Sequence, residues 1–292
     1  MWSNAPVEEV RVRFGVALGR MHPSMFMAAV EAADELGFES VWFPEHLVLP
    51  VAMAGSPFAG AEHPPVPPST PVYDVFAYLS FLAGRTSRVR LGTHVYNLAL
   101  RHPFVAARGV QTTDVVSGGR LELGVGAGWL RAEWEAAGLD FATRGDRLDE
   151  ALQVCVALWT DERVAHQGRF FSFDEVMFEP KPVQRPHPPV SIGGESGAAL
   201  RRAARYDGWI GLDHTPDSAR APVETLRALR AESDRSDRAD RPFTVTVGGR
   251  VESPEDVERF AASGVDRLIV SPWARTRDVL GGLEQFAGRF LT

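Results

Sequence analysis

Apolar residues along this chain alternate between two rhythms. Short, β-branched runs at Arg13–Leu18, Ser40–Phe43, Val89–Val95, Leu121–Val125, Val190–Ile192, Gly208–Leu212, Phe243–Val247 and Arg267–Val270 read as strands. Helical patterns near Ser24–Leu36, Tyr73–Leu82, Pro103–Val116, Trp129–Ala137, Asp146–Trp159, Ala198–Arg205, Pro222–Ala231, Pro254–Ala262 and Thr276–Phe290 separate or follow them. In the first helix Met25, Ala28, Ala29, Ala32 and Leu36 recur at i, i+3, i+4 spacing, and Gly37 follows as a C-cap. The first, second, third and eighth runs are nearly continuously apolar, as parallel strands covered on both faces are. Eight strand–helix units predict an α/β fold, a single (β/α)8 TIM-barrel domain over residues 1–292, with a doubly wound sheet as the alternative.

Two insertions interrupt the rhythm. The segment Glu45–Pro71 is proline-rich and follows the second strand, so it belongs at the C-terminal face, where barrel active sites are built. Its Leu47, Val48, Leu49, Val51, Met53 and Phe58 suit a semi-rigid wall over an apolar pocket, or a loop packed on its own barrel or on a partner subunit. The second insertion, His166–Pro189, lies before the fifth strand. It reads as a hairpin with strands Arg169–Phe173 and Val176–Glu179 around Asp174–Glu175.

Composition narrows the chemistry. The net charge of −7 disfavours nucleic acid as a partner. Met1–Val10 lacks the pattern of a signal peptide, and the uncharged run Leu47–Ala61 is too short and too proline-broken to span a bilayer. A soluble, cytoplasmic protein without membrane partners is the expectation. Lys181, the only lysine, lies between two prolines, which argues against Schiff-base chemistry. Cys155 is alone and reads as a buried apolar residue. The histidines His22, His46, His63, His94, His102, His166, His187 and His214 form no His-x-His or His-x-x-x-His pair, so no metal site is expected. The arginines between 201 and 241, Arg235, Arg238 and Arg241 among them, alternate with acids and read as solvated helix faces.

Candidate chemistry sits just past the strand ends. The second strand runs into Glu45-His46, a histidine–carboxylate pair able to move a proton near neutral pH, or a satisfied structural histidine. The third carries Thr93-His94 where Val or Ile is expected, two polar groups that need either a ligand or each other. The fourth ends in Gly124-Val125-Gly126-Ala127-Gly128-Trp129, where glycines let the backbone approach a flat ring or an anion. Trp129 occupies the sixth position of what would be a dinucleotide fingerprint, so that motif fails. The fifth ends in Gly193-Gly194-Glu195-Ser196, a phosphate seat or simply a capped helix start.

In this order these segments resemble the luciferase-like monooxygenase family of TIM barrels, and within it the F420-dependent oxidoreductases. The likeness runs from Phe14 to about Gly211. It rests on Gly37–His46, Arg90–Val95, Ser117–Gly126, Gly128–Trp134 and Ile192–Ser196. It implies a deazaflavin, coenzyme F420, lying across the barrel mouth, with FMN as the alternative cofactor. His46 matches the histidine that faces the reactive ring carbon and assists proton transfer. The resemblance also implies a cis peptide at His94–Val95 behind the ring. Glu45, Thr93, Asn97, Gly126, Ala127, Gly128 and Trp129 match positions around the ring and tail. Gly193, Gly194, Glu195 and Ser196 match the phosphate-side turn, with glycine amides as donors.

Trp129 stands where the sugar-phosphate dehydrogenases of the branch carry an acid, and the lysines that hold a sugar phosphate are missing. That argues against a sugar-phosphate substrate, and the apolar loop after the second strand favours a small, apolar molecule. Glu195 adds negative charge beside the anion seat, which the sequence does not explain. The expected activity is hydride transfer between F420 and that substrate by a homodimer. The alternatives are an FMN-dependent monooxygenase with a separate flavin reductase, a non-catalytic flavin-binding barrel, and a cofactor-free phosphate-binding isomerase or lyase.

Overall fold

The computed structural model describes residues 12–58, 64–232 and 242–291. The N-terminal segment through Val10, His63 and the arginines 235, 238 and 241 lie outside the described residues. The elements follow the order β1 Arg13–Ala17, α1 Phe26–Leu36, β2 Ser40–Phe43, α2 Val75–Ala83, β3 Arg90–Thr93, α3 Pro103–Val116 and β4 Leu121–Val125. Then come α4 Arg131–Ala136, α5 Arg144–Thr160, a hairpin of β5 Val164–Gln167 and β6 Ser172–Val176, β7 Val190–Gly193, α6 Gly197–Ala203 and β8 Gly208–Asp213. The chain ends with α7 Pro216–Glu232, β9 Thr244–Gly248, α8 Pro254–Ser263, β10 Arg267–Val270 and α9 Val279–Phe290. The strands close a parallel barrel in the order β1-β2-β3-β4-β7-β8-β9-β10, which sets aside the doubly wound alternative.

Two apolar layers follow from the strand period of two. Outward residues such as Val41, Leu91, Leu123 and Val247 meet the helices in the main core. Inward, Ala17, Trp42, Ile210 and Ile269 form a smaller cluster with Val95 packed on it. The Trp42 indole fills the barrel's midsection because its neighbours are glycines: a Cβ at Gly92 would lie 2.4 Å from the ring. Below Trp42 the lumen is charged. Arg267, 1% exposed, donates to Glu39 at 2.8 and 2.6 Å and to Thr246 at 3.3 Å.

Three expectations need correction. The hairpin strands are Val164–Gln167 and Ser172–Val176, so the turn lies at residues 168–171. The Glu150 carboxylate of α5 fixes it there, accepting the N–H groups of Arg169, Phe170 and Phe171 at 3.1, 3.0 and 2.8 Å. The helix expected from Pro222 starts at Pro216, with Pro222 inside it. Thr215 and Ser218 cap each other's N–H groups at 2.9 and 3.2 Å, which starts the helix earlier. The third strand ends at Thr93, and His94 N–H still donates to Phe43 O at 2.8 Å.

Among the described residues no helix is long and apolar enough to cross a membrane. Lys181 Nζ donates to the carbonyls of Leu158 and Asp161.

Candidate active site

The residues singled out at the ends of the second, third, fourth and fifth barrel strands gather at the ends of the adjacent strands β2, β3, β4 and β7. His46 stands three residues beyond β2, half-buried, its Nδ1 3.0 Å from Oε2 of Glu133. Trp129 meets its ring edge-on at 5.9 Å. Glu45 turns inward instead. Its carboxylate takes the N–H of Asn97 at 2.8 Å and pairs with Arg101. Burial pushes the Glu45 carboxyl above its ordinary range, and the Arg101 charge offsets only part of this.

The His94–Val95 peptide is cis. Val95 lies between the tops of β4 and β7, where a Cβ added to Gly126 or Gly193 would stand 2.7 or 2.8 Å from its methyl groups. Gly126 and Gly193, which carry no side chain, flank the valine and form a low floor with it. His94 sits edge-on to Trp42 at 6.3 Å. Burial pushes its imidazole down to about 4, with Asp213 opposing and Arg20 adding to the shift, so the ring is neutral at neutral pH.

Not every expected residue is free to meet a ligand. Thr93 is fully enclosed, and its hydroxyl donates to Gly124 O at 2.7 Å, so it belongs to the sheet. The Gly194 N–H donates to Ile210 O at 3.2 Å, which removes it as an anion donor. Ser196 caps α6 by accepting Ala199 N–H at 3.2 Å and keeps its own O–H proton. Glu195 is explained by its partners. Its carboxylate accepts Leu212 N–H at 2.7 Å and meets His214 Nε2 at 3.3 Å. Burial alone would raise this carboxyl, but the two contacts outweigh it and hold the group below its usual range.

Sequence reasoning missed Glu133, Arg101 and the pair Arg20–Asp213, which joins the ends of β1 and β8. For Glu133 a signal existed. It falls on the same helical face as Leu130, Trp134 and Ala137, an apolar stripe interrupted by one acid.

An F420 or FMN ring needs a flat apolar floor, with polar groups at its edge. The Gly126–Val95–Gly193 floor supplies the first. At the edge, a Cβ added to Gly128, whose φ is 77°, would stand 2.8 Å from Nε1 of Trp134 and 3.3 Å from Oδ1 of Asn97. Trp134 Nε1 is fully buried and has no hydrogen-bond partner among the described residues, a donor still to be satisfied. The residues present fit such a group.

The family model described as luciferase-like monooxygenase matches residues 10–271. The chain belongs to that family. Its likeness to members of known and unknown activity is broad. An uncharacterized Mycobacterium tuberculosis protein is 31% identical over 254 residues, covering 86% of this chain and 88% of that protein. The FMNH2-dependent dimethylsulfone monooxygenase of Pseudomonas putida is 33% identical over 133 residues, 44% of this chain and 37% of that enzyme. The F420-dependent tetrahydromethanopterin reductase of Methanopyrus kandleri shares the fold with a TM-score of 0.75 at 16% identity, covering 96% of this chain and 99% of that one. Luciferase-like proteins are oxidoreductases and monooxygenases; the Pseudomonas relative is FMNH2-dependent and the Methanopyrus enzyme of like fold is F420-dependent.

Proposed function

We propose that this luciferase-like chain is an F420-dependent oxidoreductase acting on a small apolar molecule at the barrel mouth. The observation that carries the reading is His46 just past the end of β2, its side chain 17% exposed, with Nδ1 3.0 Å from the buried Glu133 carboxylate. When bound, reduced F420 would supply a hydride and no oxygen chemistry, and the matching proton needs a placed donor or acceptor. His46 is the group placed to give or take that proton through its other ring nitrogen. Val95, Gly126 and Gly193 would support the ring, and Asn97, Ala127, Gly128 and Trp129 would line its edge. The Ser196 hydroxyl would meet the anionic tail, beside a Glu195 carboxylate already held by Leu212 N–H and His214. The exposed Leu47, Val48, Val51 and Phe58 of the proline-rich loop favour an apolar substrate with an activated C=O or C=C bond.

The dimethylsulfone monooxygenase relative supports a second reading, an FMN-dependent monooxygenase supplied by a separate reductase. Titration with F420 and separately with FMN, followed by ring fluorescence, tests the choice. Tight F420 binding with weak FMN binding is expected; the reverse preference would replace the first reading by the second.

We propose in addition that the chain pairs with a second copy through α2 and α3. α2 carries no charged residue, and Phe81, Val105 and Val116 are exposed, beside an apolar groove of about 720 Å³ on the outer wall. Sedimentation should show a dimer, and Phe81→Glu should shift it toward monomer.

A further inference from the structure

Glu133 is fully buried, next to the orphan indole of Trp134. Its two oxygens have separate partners. Oε1 accepts the backbone N–H of Leu47 at 2.6 Å and of Val48 at 3.3 Å. Oε2 meets Nδ1 of His46 at 3.0 Å. All three partners come from one stretch of chain, residues 46–48, although α4 is more than eighty positions away in sequence.

A carboxylate only accepts hydrogen bonds, so the nitrogen facing it must carry the hydrogen. In a neutral imidazole the lone pair then lies on Nε2, which has no hydrogen-bond partner among the described residues. We propose that Glu133 is the positioning residue of the mouth: it fixes His46 as the Nδ1–H tautomer with Nε2 free. The same carboxylate ties the root of the proline-rich loop to the histidine. Neither partner can shift without disturbing the other. Glu133 acts through His46, and its negative charge steadies the ring whenever Nε2 holds a proton. The consequence for turnover rests on the proposed role of His46; the tautomer does not.

The geometry makes a sharp expectation for Glu133→Gln. Two backbone N–H donors require an oxygen on the Leu47–Val48 side, so the amide NH2 turns toward His46. Nδ1 must then accept, and the ring proton moves to Nε2. Long-range proton–nitrogen correlation of histidine-labelled protein at alkaline pH reads this directly, with the His46 signal identified by its loss in His46→Asn. The wild type should show a protonated Nδ1 and a bare Nε2, and Glu133→Gln the inverse. Turnover of the variant should fall on the order of 100-fold with cofactor affinity held within a few-fold, since the proton is then on the wrong nitrogen.

A wild-type ring protonated on Nε2 would overturn the inference, and needs no variant to fold. So would an unchanged tautomer in a Glu133→Gln protein whose thermal unfolding matches the wild type. His46→Ala with undiminished turnover would sink the proton-transfer reading of the mouth while leaving the tautomer assignment standing, so the two failures can be told apart.

Discussion

The two ends of the barrel both hold glutamates against arginines, but at the mouth one of them, Glu133, meets a histidine instead. At the base, Glu39 and Glu122 face arginines: Arg267 joins both, Arg90 pairs with Glu122, and Arg13 lies 3.5 Å from Glu39. Guanidinium stays charged at every accessible pH, so the base is a permanent charge lattice. At the mouth, Glu133 meets a histidine and two backbone amides, and Glu45 meets Arg101 and the Asn97 amide. An imidazole has one nitrogen that donates and one that accepts, which a guanidinium does not. The same acid therefore meets only cations at one end and a neutralisable, two-faced ring at the other in the proposed reading, and Trp42 stands between them.

The largest effect should come from breaking the base. Arg267→Met leaves Glu39 without its main partner, and urea unfolding should show a loss of about 3–5 kcal/mol, as expected when one member of a buried pair is removed. Cofactor affinity of the fraction that folds should be near wild type. A loss confined to activity would erase the contrast between the ends.

Overpacking the midsection comes next. A Cβ at Gly92 falls 2.4 Å from the buried Trp42 ring. Gly92→Ala should cost about 1–3 kcal/mol in the same unfolding assay. At the mouth the analogous change should act on binding. In Gly193→Ala the new Cβ meets Val95 at 2.8 Å and displaces the floor. Cofactor affinity should fall about tenfold, or about 1.4 kcal/mol, with a smaller stability loss than Gly92→Ala. Equal affinity in both proteins would remove Val95 from the account.

The smallest effects are in pH dependence, where the two ends should give way in turn. The His94 imidazole is depressed from 6.5 to about 4, so its contribution is present above 6.5 and is lost as pH falls through about 4. His94→Asn lacks that titration, so the wild type should weaken relative to it across this window. Burial pushes Glu39 up, but Arg267, Ser40 and Arg13 hold it net below 4.5. Its contribution is present above that value and disappears at more acid pH, after the mouth has already weakened. Relative to Glu39→Gln, the wild type should lose its advantage only there. A single shared acid transition insensitive to both substitutions would contradict the order.

Much of the barrel was legible because parallel strands buried on both faces leave continuous apolar runs. All eight barrel strands appear where those runs stand, with boundaries shifted by one or two residues at most. His46 was legible because it follows such a run directly, and position in a barrel is itself a filter. What escaped was set by distant partners. The hairpin turn is held by Glu150 from a different element, and a carboxylate reaching across space leaves no periodic trace. Glu133 was visible only as an acid on an apolar helix face; its tie to residues 46–48 needed the fold. The partners of Thr93 and Gly194 were hidden for the same reason, since Gly124 and Ile210 lie on neighbouring strands.

The central claim is that the mouth binds the cofactor with its floor and handles the proton with His46. The most direct measurement pairs F420 affinity with turnover in wild type and His46→Ala. The account predicts dissociation constants within a few-fold of each other and turnover reduced on the order of 100-fold or more in the variant. Affinity and turnover falling together, or turnover left intact, would contradict it.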